Sequence, residues 1–379
     1  MKILHTADWH VGRTIRGQSR HAEHVAVLEE LTTVAAGESV DLVLVAGDQF
    51  DTASPSPAAE QLVYRVLLDL AEIAPVVMVA GNHDHPRRLE AVAPLLELGR
   101  VTVVSSVVRP DEGGVVRPEA TPARVVALPF LSQRSIVTAA DLMALDIDEH
   151  GGKYQRRMEA ILEALCADLT SDDVNIVVGH VMVHGGEVGG GERAAHTVFD
   201  YSIPAQSFPT TLGYVALGHL HRHQCIPAPT PVWYSGSPLQ LDFGEVDDHK
   251  GVLIVEAAPG LPASVDFRPL TSGRRLRVLA GRLAQVEEAG RDFSPDDYVK
   301  VVLDEPARAG LAEEVRRLIP QAVDVTIDPH RRASGPRPRP NRLGRGHRDL
   351  FEEYLVEKDA RDERVLALFD ELVGEAHEA

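Results

Sequence analysis

The feature that most constrains this chain is a short apolar run that stops abruptly. Val76-Val77-Met78-Val79-Ala80 leads straight into Gly81-Asn82-His83-Asp84-His85, and Pro86 closes the segment. A run this short and apolar throughout reads as a strand buried on both faces. Gly81 permits backbone angles that other residues avoid. An amide, an imidazole and a carboxylate then follow at the carboxyl end of the strand, where ligands bind in open α/β sheets. Taken alone, the segment fits a site and a well-made turn equally.

The same grammar recurs along the chain. Lys2 to Thr6 reads as a strand ending at Ala7-Asp8-Trp9-His10, and Asp41 to Ala46 as one ending at Gly47-Asp48. Val174 to Val178 runs into Gly179-His180, and Tyr214 to Leu217 into Gly218-His219-Leu220-His221. Between the first strands, residues 18–37 and the stripe Leu62, Val63, Val66, Leu67, Leu70 have helical spacing, the second entered through Pro55 and Pro57. Strand–helix alternation with short loops implies parallel strands and a layered α/β fold. We expect two sheets face to face with helices outside, over residues 1–270. Residues 274–328 read as a compact α+β unit. Residues 329–346, rich in Pro, Arg and Gly, read as an extended linker. Residues 347–379 regain helical periodicity at Leu350, Phe351, Tyr354, Leu355, Val365, Leu366 and Phe369.

A single Asp at a strand end is more often a cap or turn former, and a single His a hydrogen-bonded structural group. Five such ends in order, each after an apolar strand, point instead to a site. Side chains at i and i+2 of a strand share a face, so Asp8/His10 and His219/His221 suit pairs of ligands aimed at one point. Mixed oxygen and nitrogen donors suit two divalent ions, an arrangement used in phosphoryl chemistry. The formal net charge of −19 argues against a chain that grips nucleic acid by its own charge, although bound metals would offset it at the site. The acidity is uneven: seven arginines and no carboxylate lie between His330 and Arg348. Two distant cysteines, Cys166 and Cys225, argue against a disulfide framework or a cysteine zinc site. No apolar run approaches the roughly 20 residues of a membrane span, and the first residues lack a signal pattern. We therefore expect a cytoplasmic protein with no membrane contact.

The ordered set Asp8-x-His10, Gly47-Asp48, Gly81-Asn82-His83-Asp84, Gly179-His180 and Gly218-His219-x-His221 resembles the motif series of the calcineurin-like metallophosphoesterases. His5-Thr6-Ala7-Asp8-Trp9-His10-Val11-Gly12, Ala46-Gly47-Asp48-Gln49-Phe50-Asp51, Gly236-Ser237-Pro238 and Asp248-His249-Lys250-Gly251 are similar to the double-strand-break-repair nuclease branch of that family. The resemblance implies a four-layer αββα sandwich at residues 1–270 and a small capping domain for DNA at 274–328. The linker 329–346 would lead to a helical tail, 347–379, that binds the coiled-coil base of an SMC-type ATPase. It implies that Asp8, His10, Asp48 and His221 hold one manganese ion and Asp48, Asn82, His180 and His219 another, with Asp48 bridging. It implies His83 as the proton donor to the leaving oxygen, with Asp84 orienting its ring. Asp51 takes no firm role, His184 and His196 read as structural or substrate-loop residues, and His85 as structural. The implied activity is 3′→5′ exonuclease on double strands and endonuclease on single strands or hairpins, in a complex with two copies of each subunit. The ATP is left to the partner, because no GxxxxGK[ST] loop occurs here. The alternatives are a small-molecule or cyclic-nucleotide phosphodiesterase of the same fold, and a binding subunit with vestigial metal residues.

Overall fold

The computed structural model describes residues 1–143, 154–192, 202–328, 347–357 and 361–369. Two six-stranded sheets dominate it. The first runs in the order Ser264–Pro269, Gly251–Glu256, Lys2–Thr6, Leu42–Ala46, Val76–Val79, Val101–Val104. Its last four strands are parallel and its first two antiparallel. The second runs Gln224–Ile226, Val232–Tyr234, Tyr214–Gly218, Val174–His180, Ala123–Leu128, Val115–Val116, parallel through its four middle strands.

Alternation along each strand builds the layers. Leu42, Leu44 and Ala46 pack between the sheets against Val125, Ala127, Ile176, Val178 and Ala216. Val43 and Val45 point the other way, onto Leu28 and Leu31 of helix His21–Glu38 and Val63, Val66 and Leu70 of helix Pro57–Ile73. On the far side, Val126, Leu128, Val177, Val215 and Leu217 meet Met158, Ile161, Leu162 and Leu165 of helix Tyr154–Cys166. Both faces of the central strands are thus covered, which is why their sequences are apolar without a break. Each fully buried leucine or valine here stabilises the fold by roughly 1.5–3 kcal/mol. The expected αββα sandwich is the observed one.

Local chemistry explains where the elements start. The Ser56 hydroxyl accepts the Ala59 N–H at 3.2 Å, with Pro57 in the first turn. The helix expected from residue 18 starts at His21, because Thr14–Ile15 and Gln18–Ser19 form a tight hairpin with Arg16 and Gly17 at φ 48° and 82°. Helix Pro86–Glu97 escaped the sequence reading. It buries only Leu89 and Leu96 and carries Pro94 inside it, so no apolar stripe announces it.

Strands Leu276–Gly281, Tyr298–Leu303 and Ala322–Ile327 form a separate parallel sheet. Helices Leu283–Gly290 and Leu311–Leu318 cover it around Val286, Val299, Val301, Val315 and Ile319. It belongs to the same compact unit, Met1–Asp328. The second unit, Pro329–Ala379, contains helix His347–Glu357 and a helical stretch at residues 363–369. The rings of Phe351 and Phe369 stack at 4.1 Å between these two. The arginine-rich linker lies outside the described residues. Among the described residues no helix is long and apolar enough to cross a membrane.

One buried histidine makes the sandwich acid-sensitive. His5 lies fully buried between the sheets, Nδ1 at 2.8 Å from the Tyr214 hydroxyl and Nε2 at 3.1 Å from the Leu217 carbonyl. Burial outweighs the carbonyl bond and lowers its pKa from 6.5 to about 3. The unfolded chain takes up this proton as pH falls through 6.5, whereas the folded chain resists until about 3. The contribution is therefore complete above 6.5 and is lost as pH drops, at roughly 1.4 kcal/mol per pH unit. Urea midpoints measured from pH 7 to pH 4 should fall less steeply for His5→Gln than for the wild type. Equal slopes would show that His5 does not carry the effect.

Candidate metal centre

The parallel strands of both sheets end at one edge, and the chain turns sharply as it leaves them. Asp8, His10, Asp48 and His219 take left-handed backbone angles, φ 53°, 47°, 53° and 102°. Each costs of the order of 1–3 kcal/mol and persists only where the surroundings fix it. Here they do: the Asp8 N–H donates to the Gly47 carbonyl and the His10 N–H to the Asp48 carbonyl, each at 3.0 Å. The His219 N–H donates to both oxygens of Asp8, at 3.0 and 3.1 Å. This corrects the strand-alternation argument. Asp8/His10 and His219/His221 lie beyond their strands; left-handed turns, not the pleat, gather Asp8 and His10 with His221, while His219 turns to His180 and Asn82. Two glycines make room: a Cβ on Gly81 would sit 2.1 Å from Asp48 Oδ1, and one on Gly47 2.3 Å from His180 Nδ1.

Asp48 is central. Its Oδ2 lies 3.5 Å from His10 Nε2 on one side and 3.4 Å from His180 Nε2 on the other. Its Oδ1 accepts the His83 N–H at 2.7 Å. Ligand atoms of Asp8, His10 and His221 lie within 4.8 Å of one another, as do those of Asp8, Asp48 and His180, and of His10, Asp48 and His83. The Asn82 Oδ1 is 2.9 Å from both His180 Nε2 and His219 Nδ1, and these nitrogens are 3.3 Å apart. All of the sequence-derived ligands therefore converge.

The donor set fits divalent cations. His10 is 1% exposed, yet neither of its ring nitrogens finds a hydrogen-bond partner among the described residues. Such orphans are costly unless something else satisfies them. Burial raises Asp8 to about 6 and lowers His10 to about 4. Burial opposes charge on His180 as well, but Asp48 and Asp8 outweigh it and raise that imidazole to about 9. Burial likewise opposes charge on Asp48, and the surrounding imidazoles hold it well below the usual carboxylate range.

The outer partners fix which nitrogen each imidazole presents. His180 Nδ1 pairs with the Ala46 carbonyl at 2.8 Å, leaving Nε2 to the site. His221 Nδ1 pairs with Glu245 Oε1 at 2.9 Å, which likewise frees Nε2. A carboxylate behind a metal-binding histidine sets its tautomer and raises its basicity. Glu245 is fully buried, and burial of its charge is outweighed by Lys250, whose Nζ is 2.8 Å from Oε2. Sequence reasoning missed Glu245, which sits in the short turn Phe243–Glu245 with no strand before it. The only signal was its closeness to Asp248-His249-Lys250.

Two other assignments change. Asp84 does not orient His83: its oxygens accept the N–H groups of Gly81 at 2.8 Å, Phe50 at 3.1 Å and Gln49 at 3.4 Å, clamping two strand ends together. Burial, then the charge of Asp48, raises it to about 7. The group behind the His83 ring is the Asp51 carbonyl, 2.6 Å from Nδ1. Asp51, left without a role by the sequence, also places its carboxylate 3.5 Å from His10 Nδ1 and 3.1 Å from Arg13 Nη1. His85 is exposed and precedes helix Pro86–Glu97. His184 is absent from the converging groups, and His196 lies outside the described residues.

The fold and this centre define a class, and comparison with known proteins agrees. The calcineurin-like phosphoesterase family matches residues 1–223. The SbcD subunit of nuclease SbcCD from Bacillus subtilis is 37% identical over 281 residues, covering 73% of this chain and 71% of that protein. Its counterpart in Rhodobacter capsulatus, which bears the same name, is 38% identical over 286 residues, covering 69% and 67%. The Escherichia coli K12 protein of that name is 34% identical over 313 residues, covering 79% and 76%. A solved dimetal phosphatase from Danio rerio aligns at TM-score 0.43 and 11% identity, over 72% of this chain and 99% of that one, which adds nothing to the assignment. The chain belongs to the calcineurin-like phosphoesterases and, within them, to the family of SbcD nuclease subunits.

Replacing Glu245 by Gln keeps its shape and removes the charge behind His221. Affinity for divalent cations, measured by calorimetry, should fall 10- to 100-fold. The melting temperature should fall too, because Lys250 loses its buried counter-ion. Unchanged affinity would contradict the orienting role of Glu245.

Proposed function

We propose that this chain hydrolyses the DNA backbone with two manganese ions, as the nuclease subunit of a complex with an SbcC-like SMC-type ATPase. The observation that carries the reading is the position of Asp48, one oxygen of which faces His10 and His180 at nearly equal distances. Asp8, His10, His221 and Asp48 hold one ion, and Asp48, Asn82, His180 and His219 the other. When bound, the pair activates a water and stabilises the attacking and leaving oxygens. The chain supplies the rest. The Asp51 carbonyl accepts a hydrogen bond from Nδ1–H of His83, so Nε2 is the atom that takes up a proton and delivers it to the leaving oxygen. Glu245 and the Ala46 carbonyl hold His221 and His180 in single tautomers.

The relatives' names place them in a two-subunit nuclease, which supports DNA over a small phosphodiester as substrate. On this reading the small sheet at residues 274–328 positions DNA, and the tail at 347–379 binds the ATPase, two copies of each subunit assembling together. Cleavage proceeds 3′→5′ from double-stranded ends and internally in single strands and hairpins.

His83→Ala should lower hydrolysis of end-labelled linear and hairpin DNA by a factor of about 10²–10⁴, with two ions per chain still present by elemental analysis. Loss of an ion would make His83 a ligand instead. Removing residues 347–379 should release the ATPase while sparing manganese-dependent nicking of single strands. Co-purification of the shortened chain with the ATPase would contradict the tail assignment. A small phosphodiester cleaved faster than DNA would favour the small-molecule alternative.

A further inference from the structure

The turn that carries Glu245 is fastened to two things at once. Inward, Glu245 holds His221 at 2.9 Å. Outward, the same turn is packed and hydrogen-bonded to the small sheet. Phe243 sits in a buried cluster with Leu276 and Tyr298, the leading residues of two strands of that sheet, and with Ile15. Gln240 makes the polar link. Its Nε2 donates to the Glu245 and Val246 carbonyls, both at 3.0 Å, and its Oε1 accepts the Leu276 N–H at 2.9 Å. Gln240 is itself held, because the buried Arg20 guanidinium donates to its carbonyl. Arg20 pairs with Glu23 at 2.7 Å, and Glu23 accepts the Arg274 N–H at 2.8 Å, just before the small sheet begins.

A side chain whose three polar bonds divide between the metal-side turn and the first strand of another sheet does more than fill space. We propose that Gln240 is a positioning residue that joins the seat of the small sheet to the metal centre, through Glu245 and His221. If the small sheet shifts, the Leu276 bond pulls on Gln240, the Glu245 turn moves, and His221 loses its fixed orientation. The link is reciprocal, because any coupling between two sites acts equally in both directions: an ion held by His221 steadies the first strand of the small sheet. DNA or a partner that engages the small sheet would thereby adjust the ion at His221 more than the other, since His180 takes its fixed contact from the Ala46 carbonyl instead.

The proposal rests on His221 being a metal ligand, and the test separates the two claims. Gln240→Met keeps the length of the side chain and removes its polar ends. The full-length chain is titrated with manganese chloride by calorimetry, and amide exchange across residues 276–281 is followed with and without manganese. The wild type should bind two ions, and manganese should slow exchange in that strand. The variant should bind one ion about 10-fold more weakly and the other within about twofold of the wild type, and manganese should no longer slow exchange. A purely structural role would lower the melting temperature and leave both readouts as in the wild type, and that result overturns the proposal. A wild-type chain that binds no manganese overturns the metal reading and the proposal with it. Should Gln240→Met fail to fold, Gln240→Glu keeps the acceptor for Leu276 and loses both donors, and the same outcomes apply.

Discussion

One buried carboxylate organises this molecule. Asp48 stands at the carboxyl end of the second strand of the first sheet, in a left-handed backbone conformation, with His10, His83 and His180 and the carboxylate of Asp8 beside it. Its charge survives burial only because that shell is electropositive or metal-bound; an unpaired carboxylate there would be prohibitively costly. Everything nearby serves to keep it in place. The His83 N–H grips one oxygen, Gly47 and Gly81 leave it room, and Asp84 ties the turn that follows it to the turn after the next strand.

The sandwich makes this possible. Strands apolar on both faces form a rigid double layer, and the strain of four left-handed non-glycine residues is carried by that frame. The imidazoles from the second sheet, His180, His219 and His221, meet the carboxylates of the first only because the two sheets end at the same edge. The centre is therefore as much a product of sheet packing between Leu44, Ala46, Val178 and Ala216 as of the ligands themselves. The second layer of contacts, Glu245 behind His221 and Ala46 behind His180, decides which nitrogen each ring offers.

Much of this was legible in the sequence, for identifiable reasons. Central parallel strands advertise themselves as unbroken apolar runs, and a polar cluster directly after such a run is conspicuous, so Asp8, Asp48, Asn82, His180 and His219 stood out. The geometry behind them did not. Positive φ at Asp8 or His219 leaves no mark in composition, and strand alternation does not apply to residues that lie beyond the ends of their strands. The family resemblance implied that Asp84 orients the His83 ring, but the turn aims its carboxylate at backbone N–H groups instead. Glu245 and Gln240 were invisible because their roles come from contacts far along the chain, to Arg20, His221 and Leu276. Helix Pro86–Glu97 was lost for the opposite reason: it buries too little to show a period.

The central claim is that Asp48 is shared by two metal ions. Anomalous diffraction at the manganese edge, from crystals of the full chain grown with manganese, tests it directly. The account predicts two peaks about 4 Å apart, with Asp48 between them and His10 and His180 on opposite sides. A single peak, or two peaks of which only one is bound by Asp48, would contradict it.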